Sequence, residues 1–176
     1  MILKTNNLTL RHWTENDAGS LYYFAKNPKI GLLAGWPKHQ SVEESLNIIK
    51  TIYCRPECYA IIKKNMPIGC VELLIHPNGN HWWGEGSAEL GYWIGEEYWG
   101  RGFAVEASEI LIKRAFKKLN IENIYATYRI ENIRSKRVLE KLGFKYCSQL
   151  INLDYQNNPF HEIAMKLKNN LNTMKY

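Results

Sequence analysis

Apolar residues recur in this chain with two spacings, and each spacing predicts a different element. Alternating or β-rich runs predict seven strands: residues 8–13, 59–63, 68–75, 88–94, 124–128, 144–153 and 162–167. An apolar stripe, a capping sequence or a closing glycine predicts four helices: residues 14–27, 41–53, 104–119 and 132–142. This order, βααβββαβαββ, predicts an α+β fold in which helices cover the faces of one mixed sheet.

One segment fits neither spacing. Residues 76–87, HPNGNHWWGEGS, contain turn residues throughout and two adjacent tryptophans, so we expect a loop there. Nothing repeats at a fixed period along the chain. We therefore expect a single domain over residues 1–168, followed by a frayed tail at residues 169–176.

Composition narrows the class of protein. The chain has 176 residues, 45% of them hydrophobic, which suits one globular domain. No stretch reads as a signal peptide or a membrane span, so we expect a cytoplasmic protein without a membrane partner. The four cysteines are too sparse for a disulfide scaffold, and no Cys/His pair follows at zinc-finger distance, so we expect thiols and no metal.

The net charge of +6 has an uneven distribution. Between Arg101 and Lys145 lie eleven basic and five acidic residues. Such an excess is typical of solvated helix faces, but it also suits an anionic ligand, with nucleic acid as the rival. Because the chain lacks a helix-turn-helix or an RNP signature, we expect no specific nucleic acid.

A glycine-flanked turn between a predicted strand and the strongest predicted helix offers the clearest chemistry. Gly100 and Gly102 flank Arg101 there, and such a turn can direct backbone N–H groups toward a phosphate at the positive end of the helix. The alternative is a plain loop and helix start. A Walker A loop is excluded because Arg101-Gly102 stands where Lys-Ser/Thr is required, and Val105 replaces the third glycine of a dinucleotide fingerprint.

Two long segments carry a family resemblance. ELGYWIGEEYWGRGFAVEA, followed some thirty residues later by ENIRSKRVLEKLGF, resembles the acetyl-CoA binding core of the GCN5-related N-acetyltransferases (GNATs), within the RimJ/RimL-like branch. The resemblance implies an acyl-CoA N-acyltransferase fold, with a mostly antiparallel central sheet flanked by helices. It also implies transfer of acetyl from acetyl-CoA to an amine, most directly a protein N-terminal α-amine. A small amine such as a polyamine, or a non-enzymatic module binding coenzyme A or nucleic acid, stays open.

The resemblance also implies a cofactor site. The residues that it assigns to coenzyme A are Tyr92, Trp93, Ile94, Trp99, Gly100, Arg101, Gly102, Phe103, Ala104, Asn132 and Arg137. Ser135 then lies near the sulfur, where it either protonates the leaving thiolate or merely caps a helix. Many relatives have a tyrosine where this chain has Leu139, and leucine cannot donate a proton.

The acceptor side needs a base, because an α-amine with a pKa near 7.7 to 8.0 is mostly protonated at pH 7. We expect Glu89 to take that proton, or else to form a local ion pair. Glu72 is the second candidate, because alternation could place it on the same side of the sheet, and an ordered water is the alternative base. Trp36, Trp82 and Trp83 are expected to bind the acceptor, unless they only cover the core. The sequence leaves the choice between monomer and dimer open.

Overall fold

A computed structural model of the chain describes residues 1–75, 81, 83–154 and 156–169. The strands are β1 (Ile2–Lys4), β2 (Thr9–Arg11), β3 (Cys58–Lys63), β4 (Met66–Ile75), β5 (Ser87–Ile94), β6 (Asn123–Arg129), β7 (Lys145–Leu153) and β8 (Pro159–Lys168). The helices are α1 (Ala18–Ala25), α2 (Pro28–Ala34), α3 (Val42–Thr51), α4 (Phe103–Lys118) and α5 (Ile133–Lys141). Short 3-10 turns cover Glu15–Asp17 and Glu96–Tyr98.

Within these residues the eight strands form one sheet in the order β1-β2-β3-β4-β5-β6-β8-β7. Every neighbouring pair is antiparallel except β5 and β6, which run parallel. The predicted mixed, mostly antiparallel sheet flanked by helices is therefore confirmed. No helix in the described residues is both long and apolar enough to cross a bilayer.

The two faces of the sheet carry separate cores because side chains along a strand alternate in direction. Helices α1, α2 and α3 bury Leu21, Ile30 and Ile49 against one face. Helix α4 covers the other face with an apolar stripe that includes Ala107 and Leu111, joined by Leu139 of α5. Strand β5 lies in the middle of the sheet and contributes to both cores.

Strand β5 has two neighbours for only part of its length. It pairs with β4 from Ala88 to Ile94, but with β6 only over Ser87, Ala88 and Glu89. Beyond Glu89 the strands β5 and β6 part, and β6 continues as a partner of β8 alone. The edge of β5 that faces β6 is thus open over its second half.

Two elements near the N-terminus differ from the sequence prediction. The restriction that a proline places on the preceding residue predicted an end at Asn27. Helix α1 ends at Ala25, two residues earlier, and Pro28 occupies the first turn of a new helix, α2, in which Asn27 Oδ1 accepts a hydrogen bond from the Lys29 N–H at 3.0 Å. The three-residue strand β1, which pairs with β2, was also missed.

The expected tail lies largely outside the described residues. Asn169 is described, and its backbone N–H donates to the carbonyl oxygen of Glu122 at 2.8 Å. This bond anchors the chain at the end of β8, beside the start of β6. The prediction for residues 170–176 is therefore not tested.

Candidate active site

The turn between β5 and α4 has the conformation that its glycines predict. Gly100 and Gly102 have φ values of +76° and +80°, in the left-handed region that favours glycine, and α4 begins at Phe103. A Cβ atom at either glycine would meet no described heavy atom within 4 Å. The concave side of this turn is therefore open at the N-terminus of a 16-residue helix, a place suited to an anion.

Basic and aromatic side chains line the mouth of this turn. Trp99 donates from its indole nitrogen to the carbonyl oxygen of Ile94 at 2.7 Å, which fixes the ring beside the end of β5. The guanidinium of Arg134 lies over that ring at 4.5 Å, and Arg101 lies 5.5 Å from the ring of Tyr98. The first turn of α5 thereby contacts the residues that lead into the glycine turn, across the open edge of β5.

The first turn of α5 is capped by Asn132. Its Oδ1 accepts a hydrogen bond from the backbone N–H of Ser135 at 3.1 Å. Asn132 is therefore the N-cap residue of α5, the position that Ser135 would need in order to cap this helix. The Ser135 hydroxyl instead lies 2.7 Å from the hydroxyl of Tyr92 on β5.

A buried carboxylate, Glu89, and a half-buried one, Glu72, lie on the opposite face of the sheet from Tyr92. Glu89 is 4% exposed, and its Oε2 accepts hydrogen bonds from the indole nitrogen of Trp83 at 3.2 Å and the backbone N–H of His81 at 3.3 Å. Glu72 of β4 lies directly across from Gly91, so alternation places it on the same face as Glu89. The two acids therefore share one face of the sheet.

Glu72 has fewer hydrogen bonds to the described residues of this structure than Glu89 does. Its Oε2 is buried without a hydrogen-bond partner in the described part of the chain, and the nearest guanidinium nitrogen of Arg55 is 3.6 Å away. Burial raises the pKa of Glu72 above its usual value; Arg55 and the Cys58 thiol oppose this rise, and the neighbouring charge of Glu89 adds to it. Glu72 is thus an acceptor suited to a cationic hydrogen-bond donor.

Aromatic rings stand around the carboxylates. Trp83 stacks on Tyr125 of β6 with ring centroids 4.4 Å apart and planes 6° from parallel, while it donates to Glu89. Trp36 contacts Trp93 edge-on at 6.2 Å, and Trp93 donates from its indole nitrogen to the Tyr53 hydroxyl at 3.0 Å. The two carboxylates therefore lie among packed aromatic rings whose indole nitrogens have fixed hydrogen-bond partners.

Comparison with known proteins decides the family. The model of the family described as "Acetyltransferase (GNAT) domain" matches residues 7–145. The chain belongs to the GNAT family. It is an acetyl-CoA-dependent N-acetyltransferase.

Individual GNAT proteins resemble this chain over most of its length. The uncharacterized N-acetyltransferase YoaA of Bacillus subtilis is 29% identical over 158 residues, 89% of each chain. A GNAT acetyltransferase structure from Bacillus anthracis has a TM-score of 0.83 at 20% identity, covering 96% of this chain and 99% of its own. RimL, a ribosomal alpha-N-protein acetyltransferase in complex with coenzyme A, has a TM-score of 0.81 at 20% identity, covering 96% and 98%. The fold is therefore also that of the RimJ/RimL-like branch.

The residues expected from the sequence of this GNAT protein fall into two groups. The residues expected to bind coenzyme A lie along the open edge of β5, in the glycine turn and at the start of α5. Among them, Trp93 and Phe103 direct their side chains into the two cores, and Arg137 is exposed. The acceptor group of Glu72, Glu89, Trp36 and Trp83 lies on the face that α1–α3 cover. Trp82 lies outside the described residues. The described residues contain no cluster of three or more His, Cys, Asp or Glu side chains that could hold a metal.

Sequence reasoning missed the polar network beyond Trp83. His81 Nε2 lies 3.7 Å from a carboxylate oxygen of Glu162 on β8, and this neighbour raises the pKa of His81. Burial alone would raise the pKa of Glu162, but its contacts with His81, Asn152 and Thr127 lower it overall. The partners are far apart in sequence, so only the pairing of β6 with β8 and of β8 with β7 brings them together.

We predict that Glu72→Gln stabilises the fold at neutral pH. A pKa raised by folding favours the protonated folded state, so wild-type stability is lost as pH rises from about 4.5, the ordinary value, through the folded pKa. Urea unfolding at pH 4 and pH 7.5 should show the variant equal to wild type at the lower pH and roughly 1–2 kcal/mol more stable at the higher, the scale of an unpartnered buried acceptor. Glu85→Gln, an exposed turn residue, should show no such difference. A variant less stable than wild type at pH 7.5 contradicts the prediction, since pairing with Arg55 then outweighs burial.

Proposed function

We propose that this N-acetyltransferase acetylates the N-terminal α-amine of a protein. The observation that carries the proposal is the division of the site by β5. An open strand edge and an open glycine turn lie on the donor side, and buried Glu89 and half-buried Glu72 lie with aromatic neighbours on the other. RimL, which shares the fold, is named for a reaction of this kind. The chain acts as one catalytic unit over residues 1–168, in the cytoplasm.

On the donor side, the glycine turn holds the pyrophosphate of acetyl-CoA. Backbone N–H groups over Trp99–Ala104 supply the hydrogen bonds, and the open space at Gly100 and Gly102 supports such a close approach. The backbone of Tyr92, Trp93 and Ile94 pairs with the pantetheine arm along the strand edge that β6 leaves open. Asn132 and Arg137 complete this side of the site, beside the turn of α5.

On the acceptor side, Glu89 takes the proton and Glu72 binds the ammonium form of the incoming amine. Glu89 lies at the last residue pair before β5 and β6 part, so its carboxylate is close to where the thioester end of the arm would lie. Oε2 of Glu72, on the same face, lies 3.6 Å from Arg55 but has no hydrogen-bond partner among the described residues, and it accepts from the ammonium before the proton leaves. Trp36 and Trp83 form the aromatic walls beside the acceptor.

The acidity of the acceptor supports the choice of an α-amine. At pH 7 about one α-amine in seven is neutral, whereas a lysine amine with a pKa of about 10.4 is neutral about once in 2,500 molecules. One carboxylate base is therefore sufficient for an α-amine but gives much less help to lysine. Attack needs no acyl-enzyme, and N–H groups near Gly91 can stabilise the oxyanion.

Gly102→Val is expected to weaken acetyl-CoA binding by at least about tenfold. Valine at a φ of +80° costs roughly 1–2 kcal/mol of backbone strain, and its side chain would fill the open side of the turn. Isothermal titration with coenzyme A measures the effect. Gly35→Val is a matched control, because Gly35 ends α2 at a φ of +84°, also with nothing described within 4 Å, yet lies away from the turn. Equal affinities in folded Gly102→Val and wild-type protein would remove the phosphate assignment.

Glu89→Gln and Glu72→Gln should separate proton removal from amine binding. Without the base, only amine that arrives neutral reacts, so the acid limb of kcat/KM in Glu89→Gln should move toward the amine pKa near 7.7 to 8.0. Glu72→Gln should keep the position of that limb and raise KM for the amine about tenfold or more. The pH–rate profiles of both variants with one peptide provide the measurement. If the acid limb does not move in Glu89→Gln, Glu89 is not the base. If it moves in Glu72→Gln, Glu72 takes part in proton removal and the two roles are exchanged.

The acceptor class is tested by measuring thiol release with a matched panel. It contains a peptide with a free N-terminal serine or alanine, the same peptide blocked at its N-terminus but carrying an internal lysine, and spermidine. We expect kcat/KM at pH 7 to be at least about 100-fold higher for the free N-terminus, given the difference in neutral amine. Preference for spermidine, or for the blocked peptide, would replace the proposed acceptor while leaving acetyl transfer intact.

A further inference from the structure

A pair of hydroxyl groups spans the gap between β5 and the segment that follows β6. The phenol oxygen of Tyr92 lies 2.7 Å from Ser135 Oγ and 3.3 Å from the Ser135 carbonyl oxygen. Tyr92 belongs to the part of β5 that β6 no longer pairs, and Ser135 belongs to the first turn of α5. Strand β5 and helix α5, which share no sheet hydrogen bonds, are therefore in contact through these two side chains.

The contact is held from both sides. Asn132 Oδ1 fixes the backbone N–H of Ser135, and the guanidinium of the preceding Arg134 stacks over Trp99. The Tyr92 ring packs against the core under α4, so its hydroxyl has a defined position. Burial raises the pKa of Tyr92, and the hydrogen bond with Ser135 opposes that rise. At neutral pH the phenol therefore retains its proton.

Acetyl transfer requires a proton at this place. When the carbon–sulfur bond breaks, a thiolate leaves, and an ordinary thiol has a pKa near 8.5. A phenol, near 10, is the closer match, because an aliphatic hydroxyl is almost as weak an acid as water at 15.7. The burial that raises the pKa of Tyr92 acts in the same direction on a thiol beside it, so the two acids stay matched.

We propose that Tyr92 is the general acid that protonates the departing thiolate and that Ser135 positions its hydroxyl. The inference rests on the proposed function in one respect: the thiol end of acetyl-CoA lies in this gap. Leu139, one turn beyond Ser135 in α5, is fully buried and has no proton to donate. The acid thus comes from the strand and not from the helix.

The proposed step balances. The carbon–sulfur bond breaks with its electron pair going to sulfur, the O–H bond of Tyr92 breaks, and an S–H bond forms. The resulting phenolate takes the Ser135 hydroxyl proton, and Ser135 is reprotonated from solvent. The ammonium gives up two protons through Glu89 to solvent, one before attack and one from the tetrahedral intermediate, and solvent returns one through Ser135. Each turnover therefore moves one acetyl group and releases one proton.

Tyr92→Phe, Ser135→Ala and the double variant test the assignment in the full chain with acetyl-CoA and a free N-terminal peptide. Tyr92→Phe should lower kcat about 100-fold, the lower end for loss of a general acid, with KM for acetyl-CoA within about threefold of wild type. Ser135→Ala should lower kcat less, about tenfold, because water can replace it. The double variant should match Tyr92→Phe within about twofold, since residues acting as one unit are not additive.

Replacing Tyr92 by ring-fluorinated tyrosines separates acid catalysis from packing. These side chains nearly keep the shape of tyrosine but are stronger acids, so kcat should change progressively with the phenol pKa. Tyr59→Phe is the matched control, because Tyr59 is a fully buried tyrosine of the same core that donates to Glu57 at 3.1 Å, away from the gap. Its kcat should stay within about twofold of wild type.

Three results would overturn the assignment. A kcat for Tyr92→Phe within about threefold of wild type, or a flat fluorotyrosine series, leaves Tyr92 with packing alone. A larger loss in Ser135→Ala than in Tyr92→Phe makes Ser135 the donor. If wild type binds acetyl-CoA but acetylates no peptide or small amine, the proposed function fails, and this inference fails with it; an active wild type with an unaffected Tyr92→Phe rejects only the inference.

Discussion

The parting of β5 from β6 after three paired residues is the constraint on which the active site depends. Backbone N–H and C=O groups in a sheet interior need partners, and β6 stops supplying them to β5 beyond Glu89. In the proposed reaction an extended, amide-containing arm of acetyl-CoA fills that place as a substitute strand. The helix that follows β5 begins at the open glycine turn, so one length of chain presents both a strand edge and an anion site.

The chemistry on the two sides of β5 differs because the sheet separates them. The donor side combines an open helix N-terminus with exposed guanidinium groups, which favours phosphate. The other side places half-buried Glu72 near buried Glu89, an arrangement of two carboxylates that costs free energy unless a cation or a proton compensates it. An amine that arrives as a cation and leaves as a neutral amide suits this second environment.

Local signals made much of this arrangement predictable. The positive φ values at Gly100 and Gly102, and the shared face of Glu72 and Glu89, follow from glycine chemistry and strand alternation. The helix α2 was missed because proline both ends and begins helices, and the sequence alone does not decide between the two. The contact of Ser135 with Tyr92 could not be predicted either, since it depends on where two strands separate and not on the residues beside them.

Strand alternation also divides β5 by residue number. Its odd-numbered residues 89, 91 and 93 lie on the same face as Glu72, whereas the even-numbered residues 90, 92 and 94 lie on the face under α4. Mutations in one set therefore alter one face of the sheet and leave the other face nearly unchanged. In evolution, residues on one face of such a strand can change while those on the other face are kept. One fold can thereby diversify through small, separate substitutions.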